Sequence, residues 1–233
     1  MVGHIMKQKI IKTLCLAYCC IPAIGMAEAK HDLSFTTYLA TDYMFRGVSQ
    51  TGNKAALQFG LDYSHISGLQ AGLFASNVDY DSSTNREQDI YIGYSKDFSN
   101  GIGIDAYAWY YGYHNESELN YSEYTIGARY KWFNAKYWYA DDYSGTGGKQ
   151  KYYEAGLSLP INNDFTFSIH AGHTDFDRQT GINDYNDYSL SLSTSYKGFD
   201  LQLFATSTDD GQFGNLEDDR FVFTISKSFG LVP

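Results

Sequence analysis

Residues 41–80 read TDYMFRGVSQTGNKAALQFGLDYSHISGLQAGLFASNVDY. Within them Leu57, Phe59, Leu61 and Tyr63 alternate with Gln58, Gly60, Asp62 and Ser64. A period of two puts each set on its own face of a pleated strand, one face apolar and the other polar. Ser67-Gly68 then reverses the chain, because glycine accepts the positive φ that tight hairpins need. A second strand starts at Leu69. The fold depends on whether this unit repeats and on which face is the inside.

The unit does repeat. Twelve candidate strands cover 33–43, 55–65, 69–79, 88–98, 102–113, 121–131, 133–140, 151–159, 165–173, 187–197, 199–208 and 220–229. Most have the length of a tilted membrane-crossing strand, about 9–11 residues, whereas strands of globular proteins more often run to about five or six. The connections alternate strictly in length. Short ones lie at 67–68, 99–101, 132, 160–164 and 197–198, and long ones at 44–54, 80–87, 114–120, 141–150, 174–186 and 209–219. Short turns at one end and long loops at the other mark an outer-membrane barrel, and an even strand count brings both termini to the short-turn, periplasmic end.

Strand 187–197 settles the inside. Tyr188, Leu190, Leu192, Thr194 and Tyr196 alternate with Ser189, Ser191, Ser193 and Ser195. Four hydroxyls on one face are costly in a dry core, where each needs a partner, and cheap against water. Ile102, Ile104, Ala106 and Ala108 against Gly103, Asp105, Tyr107 and Trp109 give the same division, as do Phe165, Phe167, Ile169 and Ala171 against Thr166, Ser168 and His170. The reading is apolar out and polar in. Tyr43, Tyr63, Tyr94, Tyr110 and Tyr196 fall near strand ends, where interfacial aromatic girdles belong. The last strand alternates Phe221, Phe223, Ile225 and Phe229, with Lys227 the exception on its apolar face. The sequence therefore predicts an all-β, antiparallel up-and-down transmembrane β-barrel of 12 strands.

Composition agrees. The chain has 22 Tyr, 15 Phe and 22 Gly but 3 Pro, and its mean hydropathy of -0.38 is what a barrel with a polar lumen and polar loops gives. Lys7, Lys9 and Lys12 precede an apolar run over 13–24, too short for a membrane helix, and small residues follow at Ala27 and Ala29. This is the layout of a secretory signal peptide. Residues 1–27 are read as that peptide with an upstream extension before Met6, cleaved after Ala27 or Ala29, and 28–233 as the barrel. Tyr18 is bulky for the residue before a lipidated cysteine, which argues against a lipoprotein signal at Cys19. Cys15, Cys19 and Cys20 all fall inside the leader, so the mature chain has no disulfide or thiol metal site. Losing three lysines and no acid takes the net charge from -10 to -13, which excludes nucleic acid as a natural partner.

Asp42-Tyr43-Met44-Phe45-Arg46-Gly47-Val48-Ser49-Gln50-Thr51 resembles the DYxFRGxSQT signature of the TorF-type outer-membrane porins. Ala56-Leu57-Gln58, Asp62-Tyr63, Ser67-Gly68, Gly72 and Ser76-Asn77-Val78-Asp79 extend the likeness, and Gln88 to Tyr94 follow it more loosely. The resemblance implies an outer-membrane β-barrel porin and supplies no binding residues.

By alternation, the lumen receives Asp42, Asp62, Asp89, Asp105, Glu123, Arg129, Lys136, Glu154, His170 and Asp200. Seven acids face two fixed bases, or three if Arg46 folds inward to meet Asp42 or Asp62 as a constriction. Such a lumen favours cations; the alternative is that the charges pair across it and stiffen the barrel. Arg46 has its own alternative, a strand-end ion pair that orders the first loop. Loop acids such as Asp79, Glu116, Asp141 and Asp209 are expected to form a solvated rim, or to hold divalent cations that bridge lipopolysaccharide.

Ser64-His65 and Ser76 are the residues an acyl hydrolase would use, and His170 and His173 those of a base or metal site. Ser64 and His65 point to opposite faces of one strand, which excludes a dyad between them. No G-x-S-x-G or H-E-x-x-H occurs.

The expected function is passive diffusion of small hydrophilic solutes across a bacterial outer membrane, without cofactor or metal. Outer-membrane lipid and lipopolysaccharide would be its surroundings, and sequence leaves the oligomeric state open. Two alternatives remain: a lipid-modifying hydrolase on the same scaffold, and a structural or adhesive barrel plugged by Tyr107, Trp109, Trp138 and Arg129.

Overall fold

The computed structural model describes residues 31–231, so the leader and its cleavage site lie outside the described residues. The barrel strands are β1 (His31–Ala40), β4 (Ala56–His65), β5 (Leu69–Asn77), β6 (Arg86–Asp97), β7 (Ile102–Tyr113) and β8 (Tyr121–Tyr130). They continue with β9 (Phe133–Ala140), β10 (Gln150–Pro160), β11 (Phe165–Phe176), β12 (Tyr185–Tyr196), β13 (Phe199–Thr208) and β14 (Arg220–Gly230). Two further short strands, β2 (Met44–Phe45) and β3 (Val48–Ser49), pair only with each other inside the first long loop. Every barrel strand pairs antiparallel with its chain neighbour, and β1 closes the ring against β14 from Ser34↔Gly230 to Ala40↔Thr224. Closure leaves the barrel sheet without a free edge to recruit another chain. The twelve expected strands are all present, and the long and short connections alternate as the sequence predicts.

The burial pattern is that of a globular protein turned inside out. On β12, Leu190 is 51% exposed on the outer wall where Ser191 is 6% exposed within. Leu57, Ile90, Ile126 and Leu203 also face out, while Gln58, Gln70, Thr166, Ser168 and Thr224 are buried inside. Lys227 does lie on the outer face, with its ammonium over the rings of Phe199 (4.7 Å) and Phe229 (5.4 Å). Cation–π contact at the strand end lets the charge sit on an apolar wall. Tyr94, Tyr110 and Tyr196 are exposed on the outer wall as expected of a girdle.

Tyr43 is the exception among those tyrosines. The first strand was expected to run over 33–43, but it ends at Ala40 and the chain then turns into the barrel. Tyr43 is consequently buried inside, and its hydroxyl donates to Glu87 Oε1 at 2.9 Å. Alternation alone carries the strand too far, because Tyr43 keeps the period of Leu39 and Thr41 beyond the last ladder contact, Thr41 N–H to Phe223 O at 3.0 Å.

Candidate functional site

The first long loop does not project into solvent. Met44 pairs with Ser49 and Phe45 with Val48, so the loop is a miniature hairpin with Arg46-Gly47 at its tip. Both tip residues have positive φ, 49° and 80°, as a two-residue hairpin turn of the primed type requires. Glycine accepts this freely, whereas a non-glycine residue there costs about 1–3 kcal/mol unless its surroundings hold it. Arg46 is held firmly.

Its guanidinium crosses to the wall formed by β8, β9 and β10. Nη2 donates to Glu123 Oε1 at 2.7 Å and Nη1 to Gln150 Oε1 at 2.6 Å. The ring centres of Tyr152, Phe45 and Trp138 lie 4.2, 4.6 and 5.5 Å from its central carbon. Tyr111 donates its hydroxyl to the other oxygen of Glu123 at 3.0 Å, which fixes the direction of the carboxylate. The ion pair is dry: the two side chains are 4% and 0% exposed. Gly47 packs on the far side against Thr208 and Asp187, so the hairpin also reaches β12 and β13.

The base of the loop is tied just as closely. Asp42 Oδ1 accepts from the Ser49 hydroxyl at 2.7 Å and lies 2.8 Å from that of Thr51, while Oδ2 accepts from Arg220 Nη1 at 2.8 Å. Tyr80 donates to the side-chain oxygen of Gln50 at 2.7 Å, and the backbone N–H of Asp79 donates to the Gln50 carbonyl at 2.9 Å. Asp42, Tyr43, Arg46, Gly47, Ser49, Gln50 and Thr51 therefore all serve to hold one loop inside the barrel.

Arg46 folds inward, but neither carboxylate expected to receive it does so. Asp42 binds Arg220, and Asp62 accepts from the Tyr91 hydroxyl at 2.6 Å. Asp105 lies 3.6 Å from Arg129 and 3.7 Å from Lys136. Arg129 makes its closer pair, 2.6 Å, with Asp97 at the short-turn end, so it is not part of the packed middle of the lumen. Glu154 accepts from the indole of Trp138 at 3.1 Å. His170 lies 2.9 Å from Asp187, 3.7 Å from Glu154 and 3.0 Å from the Tyr152 hydroxyl. Asp200 accepts from Ser195, and Asp89 is buried on β6 one inward position from Glu87.

Glu87, Asp187 and Arg220 were not anticipated. Each sits within the first three residues of a strand on the long-loop side, and parity counted back from the outward Gln88, Tyr188 and Phe221 would have found them. Pairing is the dominant pattern, although inward acids still outnumber inward bases.

Several loop acids order the loops around them. Asp79 bonds Lys54, Asp209 bonds Asn186, and Glu116 accepts from Ser82 Oγ (2.9 Å) and from the N–H and Oγ of Ser83 (2.8 and 2.9 Å). These donors hold the Glu116 carboxyl below its ordinary value. A depressed carboxylate contributes its stabilisation above its unfolded pKa, about 4.3 for glutamate, and loses it as pH falls through the lower folded value. Protection of the Ser83 amide, its exchange rate measured against the intrinsic rate at the same pH, is thus expected to be high near neutrality and to fall below pH ~4. Glu116→Gln should abolish that dependence. Among the described residues, no group of three or more His, Cys, Asp or Glu is placed to hold a metal ion.

Fold and lumen define a closed twelve-stranded antiparallel barrel, polar inside, with its first loop folded across the bore. The chain belongs to a family of bacterial proteins of unknown function, Gcw_chp, whose model matches residues 25–229. No curated protein matches it by sequence. Among solved structures it resembles the KdgM porin at 9% identity and a TM-score of 0.56, over 85% of this chain and 99% of that one. A second KdgM structure, in complex with disordered oligogalacturonate, gives 9% and 0.57 over 85% and 99%. The NanC porin gives 10% and 0.54 over 86% and 100%. Those likenesses establish the fold.

Proposed function

We propose that this protein is an outer-membrane diffusion channel for small hydrophilic solutes, with the first loop as a movable constriction. The observation that carries the reading is the Arg46 hairpin. A barrel with an apolar wall and a hydrated lumen needs no internal loop to be stable, yet this one holds a polar loop across its bore through an ion pair on the opposite wall. Loops folded into the lumen set the size and charge of what passes. The resemblance of 42–51 to the TorF-type signature supports the same reading, because those residues are the ones that position this loop. The apolar outer wall and the leader-like N-terminus support an outer-membrane address, with lipid and lipopolysaccharide around the barrel.

The charge of the bore supports a weak preference for cations. Arg46, Arg220, Arg129, Lys136 and His170 lie against acids, and Asp62, Glu87, Asp89 and Asp200 add further carboxylates. Oligogalacturonate is a polyanion, so the ligand in the KdgM complex is not the solute class proposed here. The purified protein in planar bilayers under a potassium chloride gradient should reverse at a potential of cation-selective sign. Anion-selective reversal would overturn the preference.

One observation favours a second reading, a plugged structural barrel. Tyr111, Glu123, Gln150, Trp138, Ala140 and Val222 are nearly inaccessible at the level of the hairpin. The channel reading requires the hairpin to move. The structural reading requires it to stay.

A further inference from the structure

The contacts around Arg46 divide into a loop part and a wall part. The guanidinium and Phe45 belong to the hairpin. Glu123, Trp138, Gln150 and Tyr152 belong to three adjacent strands, locked by the pairs Thr125↔Trp138, Tyr152↔Trp138 and Gln150↔Ala140. Tyr111 on the next strand, β7, holds Glu123 from behind. Withdrawing the hairpin removes the cation and leaves the receptor standing. That receptor has one aimed carboxylate, one amide oxygen and two aromatic faces, the chemistry that recognises a planar cation with several N–H donors.

We propose that this wall cluster is a solute-binding site for small guanidinium compounds, and that Arg46 is its tethered occupant in the closed state. A solute carrying a guanidinium group competes with Arg46 for Glu123 and Gln150, and its binding holds the hairpin out. The buried carboxylate supplies the bias. Stripped of its partner Glu123 is strongly disfavoured, so the open lumen either hydrates it or offers it a new cation. A tethered side chain acts at an effective concentration in the millimolar range. Free solute should therefore bind the wild-type chain more weakly than a chain without Arg46. The inference deepens the channel reading by naming a solute class, and it depends on that reading only for transport.

The test is calorimetric titration of the full-length protein in detergent micelles with methylguanidinium chloride, against sodium chloride at equal ionic strength. Arg46→Ala should bind methylguanidinium saturably and at least tenfold more tightly than wild type. Adding Glu123→Gln should weaken that binding by at least tenfold. If Arg46→Ala is not recovered as a heat-modifiable β-barrel, Arg46→Gln, which keeps length and polarity, takes its place. Binding that is equal in wild type and variant, absent from a folded variant, or indifferent to Glu123→Gln overturns the proposal. Methylguanidinium should also reduce any current the variant carries. A protein that binds but never conducts overturns the channel reading and leaves the binding site in place.

Discussion

Glu123→Ala is expected to release the hairpin and open the peptide bond after Arg46 to trypsin. Glu123 carries the ion pair that holds the hairpin tip to the opposite wall. Removing the carboxylate leaves a guanidinium buried without a counter-charge, a loss of about 3–5 kcal/mol in comparable buried pairs. It also deprives the Tyr111 hydroxyl of its acceptor, which adds about 1–3 kcal/mol if that group stays dry. The barrel does not absorb this cost by unfolding, because its twelve ladders do not pass through the hairpin. The hairpin instead leaves the wall and returns Arg46 to water. A shift of about 3–5 kcal/mol changes the docked-to-free ratio by about 10²–10⁴-fold. Limited proteolysis should yield a cut at Arg46 in the variant and not in the wild type. Glu123→Gln keeps an acceptor without the charge and should fall between them.

Gly47→Val is expected to expel the same hairpin from its other side. At φ 80° a β-branched residue is strained, and its Cβ would run into Thr208 and lie 3.0 Å from the Cβ of Asp187. Backbone strain of about 1–2 kcal/mol and overpacking of about 1–3 kcal/mol act together. Neither touches the Arg46 ion pair directly, so the outcome separates hairpin position from charge. The control is Gly198→Ala in the short turn between β12 and β13. That glycine also has a positive φ, 77°, but nothing lies within 4 Å of its Cβ direction. It should lower stability slightly and leave loop proteolysis unchanged. If Glu123→Ala and Gly47→Val both leave Arg46 protected, the hairpin is not held by the contacts described.

The barrel was legible because its signals are local and repeat. Alternation along 55–65 and 187–197 gives strand and facing, and connection length gives the two ends. The serines of 187–197 decide between lumen and core through the cost of dry hydroxyls. The hairpin was not legible for the opposite reason. Its tip carries Arg46 where short hairpins usually carry Asn, Asp or Gly, so turn chemistry gives no warning. What holds that arginine in a left-handed conformation lies 77 and 104 residues along the chain, at Glu123 and Gln150. Looking for its partner nearby pointed to Asp42 and Asp62, yet Asp42 is matched by Arg220, 178 residues away. In a barrel, charges meet across the bore, and sequence distance says little about which ones.

Single-channel recording of wild type and Arg46→Ala in the same planar bilayer bears most directly on whether this loop sets the permeability of the bore. The wild type is expected to show rare or small openings and the variant larger, long-lived ones, in a protein of unchanged β-barrel signature. Silence from both, with the variant's hairpin shown by trypsin to be released, would contradict it and leave a barrel closed by its own wall.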